Sequence, residues 1–338
     1  MKNLMSRAEL ICFGLLVVAV LAGPSLSGGS FLLTLLGYTA AFAIFAMSVY
    51  VVLGWIGEIP LGHSLYYGLG AYGSGILMKD HGQSFVTSAL IAMVLSAVVA
   101  GVVGLIILRL TGAYFAIVSW GLASVAVIVA NSSDTLTGGA LGLLGVPPAE
   151  IGRLSLSDPT DYAWISGGLL ILVVLALAFL RGTAFGRRVN GGRINEHLVR
   201  ASGANIYLDR VLAFAMSASL AGLSGALSVS FLRVVTPGLL GVTITVDALV
   251  MVLLGGTGFL LGPVIGAVFF RVLPEQINLQ PEVRTIVVAV LILAVVMLAP
   301  GGIPDVLRRL RELVHRRPRG GSRDEQEPDS AEHEGAYA

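Results

Sequence analysis

FVTSALIAMVLSAVVAGVVGLIIL, residues 85–108, runs for twenty-four residues without a charge and stops at Arg109. At 1.5 Å of rise per residue, a helix of that length exceeds the roughly 30 Å of a bilayer's hydrocarbon core. Shorter apolar runs occupy 10–22, 163–180 and, with Arg284 near its start, 283–299. Over all 338 residues, 56% are hydrophobic and 12% charged, half the roughly 25% charge of a soluble domain. The fold class is therefore an all-α polytopic membrane protein.

Ten crossings are expected, at about 9–27, 31–53, 64–78, 85–108, 112–130, 163–180, 211–231, 244–256, 258–273 and 283–299. Lys2 and Arg7 precede the first run as in a signal peptide, but Pro24 stands where cleavage would fall, so a retained helix is expected. The third, eighth and ninth are short and glycine-rich, as broken or re-entrant helices are. Loop 181–210 carries Arg181, Arg187, Arg188, Arg193, Arg200 and Arg210 against Glu196 and Asp209, whereas loop 131–162 is acidic. The positive-inside rule puts the first loop in the cytoplasm, and ten crossings then leave both termini there. Five crossings on each side of the acidic loop predict two inverted halves. Each half holds a Gly-interrupted stretch, LGHSLYYGLGAYGSGIL at 61–77 and LGGTGFLLGPVIGAV at 254–268, the pattern that marks translocation sites; close helix packing is the alternative use of such glycines. Residues 1–304 form the transmembrane domain in this reading. The basic stretch 305–319 lies on anionic membrane lipid, and 320–338 lacks the apolar content to fold.

Candidate path residues follow from charge and backbone disruption at membrane depth. They are Glu58, Pro60, Gly62, His63, Gly68, Gly70 and Tyr72 in the first half, and Asp247, Gly255, Gly256, Gly258, Gly262 and Pro263 in the second. For Glu58 and His63 the alternative is a loop with two solvated side chains. Lysine occurs only at Lys2 and Lys79, so the chain holds no phosphate-binding loop of its own. Its one cysteine, Cys12, excludes an internal disulfide, and the five histidines are scattered. No metal site, cofactor or catalytic constellation is expected. A transporter without its own ATPase is expected; a carrier driven by an ion gradient through Asp247 or Glu58 is the alternative.

Five stretches, in order, resemble the permease subunits of branched-chain amino acid ABC transporters, specifically the larger member of the pair. WIGEIPLGHSLYYGLGAY at 55–72 is similar to that family's G-x-[IL]-S-L-G-H-x-x-[FY]-[FY]-G-x-G-A-Y. RLTGAYFAIVSWGLA at 109–123, TGGALGLLGVPP at 137–148, FGRRVNGGRINEHLVRASGAN at 185–205 and LLGGTGFLLGPVIGA at 253–267 continue the likeness. The resemblance implies a bacterial plasma (inner) membrane protein with a second permease, two ATP-binding subunits and an extracytoplasmic solute-binding protein as partners, and no nucleic acid. It makes the segment at about 185–210 the coupling helix, with Arg193, Glu196 and Gly203 on its motif. Pro60 replaces a serine of the family pattern. Asn190, Gly191 and Gly192 replace a helix-favouring run, which predicts a coupling helix that starts late or is looser.

Overall fold

The computed structural model describes residues 7–26 and 29–276. The predicted crossing at 283–299, the basic stretch at 305–319 and the tail at 320–338 lie outside the described residues. Each of the other nine predicted crossings is helical. Helix α1 is Arg7–Leu26 and α2 is Ser30–Tyr50, which continues as a π turn over Val51–Ile56. Then come α3 (Ser64–His81), α4 (Phe85–Ile107), α5 (Ala113–Ser132) and the short α6 (Asp134–Thr137). After an irregular loop follow α7 (Pro159–Gly182), α8 (Ala184–Ile194), α9 (Glu196–Ala201) and α10 (Ile206–Leu232). The last two described helices are α11 (Val242–Gly255) and α12 (Gly262–Gln276).

Five helices among the described residues are long and apolar enough to cross a membrane: α2 with its π turn, α4, α5, α7 and α10. Helix α11, at 14 residues, rises only about 21 Å, short of the hydrocarbon thickness. The third predicted crossing is not broken. Its glycines lie within one continuous 18-residue helix, and the interruption falls before it, at 57–63. The expectation of helices alone also needs a small correction. Leu143–Leu144 (β1) pairs antiparallel with Val234–Val235 (β4), and Glu150–Ile151 (β2) with Leu154–Ser155 (β3).

These strands mark one end of the bundle, and Arg109, Arg181 and Arg188 mark the other. Helix α2 runs from the hairpin end, where Gly37 packs on Tyr162, to the arginine end, where Arg193 holds Gly54. The chain then turns back inward through 57–63, and α3 returns to the hairpin end, where Gly75 packs against Leu143 and Val235. Helix α10 climbs to the hairpin end, the chain re-enters through β4 and the 3₁₀ turn Pro237–Leu240, and α11 descends to the arginine end. There the backbone N–H of Leu260, between α11 and α12, donates to Glu9 Oε1 at 3.2 Å, and Arg181 pairs with the same oxygen at 3.0 Å. The core lies where α2, α3, α4 and α10 pack together, around Phe42, Phe45, Tyr67 and Phe214.

Candidate functional site

Pro60 cannot donate a backbone hydrogen bond and disfavours helix in the residue before it, so the helical run that ends at Ile56 does not resume until Ser64. A π turn precedes the break, a feature common at functional positions. Gly57 closes it with a left-handed φ of 91°.

Neither charged residue of this stretch is solvated, which overturns the solvated-loop alternative. Glu58 is 7% exposed and His63 1%. Glu58 Oε2 accepts the backbone N–H of Gly112 at 2.7 Å, and Gly112 is the N-cap of α5. A carboxylate there satisfies an orphan donor and meets the positive end of the helix dipole. His63 Nε2 lies 2.9 Å from Ser217 Oγ, and that hydroxyl donates to the Ser48 carbonyl at 2.8 Å. A hydroxyl has one proton to give, so Ser217 accepts from His63 and the imidazole carries its hydrogen on Nε2. Nδ1 is then an acceptor without a partner among the described residues. Phe45, Tyr66 and Phe214 surround the ring. A small cavity of about 10 Å³ adjoins it, lined by Pro60, Gly62, His63, Tyr66, Ser119 and Phe214 among others.

The break in the first half meets the re-entrant segment of the second. The Ser64 backbone N–H donates to Thr245 Oγ1 at 2.8 Å, and Ser64 Oγ donates to the Leu240 carbonyl at 2.9 Å. Both side chains are fully buried. Ser64, Leu240 and Thr245 escaped the sequence reading. The only available signal was a hydroxyl directly after the Pro-Leu-Gly-His run, and nothing local marks its distant partners.

The candidate glycines serve close approach. A Cβ on Gly62 would lie 1.8 Å from the Ser119 carbonyl oxygen, and one on Gly68 would lie 2.2 Å from a methyl of Leu240. Gly70 faces the Gly222 backbone across α3 and α10, and Gly255 faces that of Gly262 across α11 and α12. Gly256 takes a φ of 85° at the turn; Gly258 stands in open space, and Pro263 is buried in the first turn of α12. Tyr72 is buried on α3 and its hydroxyl lacks a partner among the described residues. The two Gly-rich stretches do not form one site. The 61–77 stretch packs on α10 and on the 234–240 segment, whereas α11 and α12 pack on each other and on α2.

Asp247 is partly buried on α11. Arg271, a cation inside the predicted ninth crossing, was also missed. Its guanidinium carbon lies 3.9 Å from the ring centre of Phe42 and 4.6 Å from that of Tyr38, cation–π distances, and its buried Nε has no acceptor among the described residues.

At the arginine end, Arg193 reaches back from α8, where its Nη1 donates to the Gly54 carbonyl at 2.6 Å. Helix α8 runs unbroken through Asn190, Gly191 and Gly192, so the predicted late start is not observed. Ile206 fills the space a Gly192 side chain would need. Helix α9 starts at Glu196, which pairs with Arg200 at 2.5 Å and Arg210 at 3.6 Å. It ends, as the sequence indicates, at Gly203, whose φ is 81°. No residue of α9 is buried; Ile194 is 87% exposed and Leu198 73%. No group of three or more metal-ligating side chains occurs among the described residues.

A family model described as "Branched-chain amino acid transport system / permease component" matches residues 31–296. The high-affinity branched-chain amino acid transport system permease protein LivM of Salmonella typhimurium is 26% identical over 325 residues, covering 89% of this chain and 76% of that protein. The ribose import permease protein RbsC of Escherichia coli is 28% identical over 302 residues, covering 85% and 80%. LivH of Salmonella typhimurium is 27% identical over 297 residues, covering 78% and 91%. No solved structure matches the chain.

Proposed function

The chain belongs to the branched-chain amino acid transport permease family, and from that premise we propose that it is the membrane-spanning subunit of an ATP-driven importer. It moves branched-chain amino acids or a similar small polar solute inward across the bacterial plasma membrane. Separate subunits hydrolyse the ATP; a second permease and a solute-binding protein complete the assembly. Likeness to both members of the LivM and LivH pair supports a permease pair. The ribose permease relative keeps the solute class open to other small polar molecules.

The observation that carries the reading is the α8–α9 segment. It sits at the arginine end with Ile194 and Leu198 turned to solvent, and it is tied to the bundle by Arg193 and by the Arg188–Asp209 ion pair at 2.7 Å. An apolar surface on a polar, membrane-proximal helix suits docking in a groove of an ATP-binding subunit. In this reading Arg193, Glu196 and Gly203 serve coupling, ten segments form two inverted halves, and both termini are cytoplasmic. Residues 1–304 make up the permease domain.

Affinity purification of the tagged chain from gently solubilised native membranes tests this. We expect two P-loop ATPases and a second permease to co-purify. Recovery of the chain alone, from membranes that still take up solute, would contradict the assembly. Glu196→Arg, which sets a third cation beside Arg200 and Arg210, is expected to lower uptake at least several-fold with expression intact.

A further inference from the structure

Two connections enter the bundle from opposite ends, 57–63 from the arginine end and 233–241 from the hairpin end, and the residue that follows the first is bonded to the second and to the helix after it. The Ser64 N–H, at the start of α3, donates to Thr245 Oγ1 on α11, and the Ser64 hydroxyl donates to the Leu240 carbonyl. Each bond joins residues more than 170 positions apart. The contact therefore ties the first half to the second, not neighbours within one helix. The Leu240 side chain seats on Gly68 one turn further along α3, with no room for a Cβ there. On the other side Gly62 lies against the Ser119 backbone of α5. Neither connection is α-helical, the second holding only the 3₁₀ turn Pro237–Leu240, so backbone rotation there can part the contact without bending a long helix.

The first connection also has a handle. Arg193, on the solvent-facing α8, grips Gly54 in the π turn, and its aliphatic stem lies against Gly57. A displacement of α8 therefore pulls on the residues that lead to Ser64.

Resting on the importer reading above, we propose that the Ser64–Leu240–Thr245 contact is a latch that closes the solute path, and that Arg193 is the positioning residue that releases it when the cytoplasmic segment moves. The latch joins the re-entrant segments of the two halves. Its loss opens the path in the absence of ATP and lowers the solute carried for each ATP hydrolysed. Coupling through a chain of contacts requires a demonstrated energetic link between its members, which a double-mutant comparison supplies.

The test uses the complete assembly in proteoliposomes, with solute leak measured without ATP and uptake measured against ATP hydrolysed. Ser64→Ala and Thr245→Val are each expected to raise the leak and to cut uptake per ATP at least threefold. Ser64→Ala removes the bond to the Leu240 carbonyl and Thr245→Val the separate bond from the Ser64 N–H, and because the two bonds hold one latch the double variant should do no more than the worse single one. Thr245→Ser keeps the acceptor hydroxyl and should restore both values. Arg193→Ala should cut uptake per ATP without raising the leak. Ser74→Ala removes a buried hydroxyl that bonds only within α3 and should leave both readouts unchanged. Normal leak and normal uptake per ATP in Ser64→Ala and Thr245→Val overturn the latch, as does an equal loss in Ser74→Ala. If Ser64→Ala does not assemble, Thr245→Val carries the same comparison from the other helix. A wild-type assembly without ATP-dependent uptake would instead sink the importer reading itself.

Discussion

Glu58 shows how one side chain can hold a helix end in place. Its carboxylate accepts the Gly112 N–H at 2.7 Å while almost fully buried. Glu58→Ala leaves that donor unpaired, which costs about 1–3 kcal/mol; Glu58→Gln keeps an acceptor and should cost less. Thermal unfolding of the purified protein separates the two, and equal losses would deny the cap. Asp158 plays the same part at α7, where Oδ1 accepts from Thr160 N at 2.7 Å and Asp161 N at 3.3 Å. Those two N–H groups, Thr160 first, hold its carboxyl below the ordinary carboxylate range. A depressed folded pKa stabilises above the unfolded value, near 3.9, and that stability is lost as pH falls through the folded value. Hydrogen-exchange protection in the first turn of α7, taken relative to the intrinsic rate at each pH, should therefore weaken below about pH 4, and Asp158→Asn should flatten the dependence. Wild-type protection that stays flat into that range would contradict it. At this scale the sequence was informative about identity and poor about environment. It singled out Glu58 and His63 from their charge beside a proline, but their burial depends on α5 and α10, which lie far along the chain.

Among the elements, the glycines set how closely helices approach. Gly70 against Gly222 and Gly255 against Gly262 leave no space for a methyl group against backbone, so alanine at either should cost about 1–3 kcal/mol or more. Gly101 on α4 meets nothing within 4 Å, and Gly101→Ala should be neutral or slightly stabilising. Melting temperatures that fail to separate the three would contradict the packing. Helix positions were legible because apolar runs with polar breaks report directly on membrane spans, and the nine that fall among the described residues are helical. The place of the break was not. Glycines at 61–77 suggested a broken helix, yet a helix packed on a neighbour's backbone tolerates them, and the interruption sits at Pro60. Arg271 was hidden for the converse reason: a cation in an apolar run reads as an end, until Tyr38 and Phe42 supply ring faces to hold it.

Taken as a whole, the molecule is a helical bundle whose two long helices, α2 with its π turn and α10, each lead into a re-entrant connection and then a shorter helix. Family membership was readable from five motifs in order, because motif residues are local. The meeting of Ser64 with Leu240 and Thr245 was not, since it is a property of tertiary packing between halves. In the proposed importer, energy enters from outside this chain through α8 and α9 and ends in the movement of a small polar solute. Reconstituted uptake measures that directly. The chain, assembled with its second permease and ATP-binding partners in sealed proteoliposomes and supplied with solute-loaded binding protein, should accumulate leucine or a related small polar solute only when ATP is present on the α8–α9 side. Dissipating ion gradients should leave that uptake intact. Uptake by the chain without ATPase partners, abolished by an uncoupler, would contradict the importer and make the protein a gradient-driven carrier.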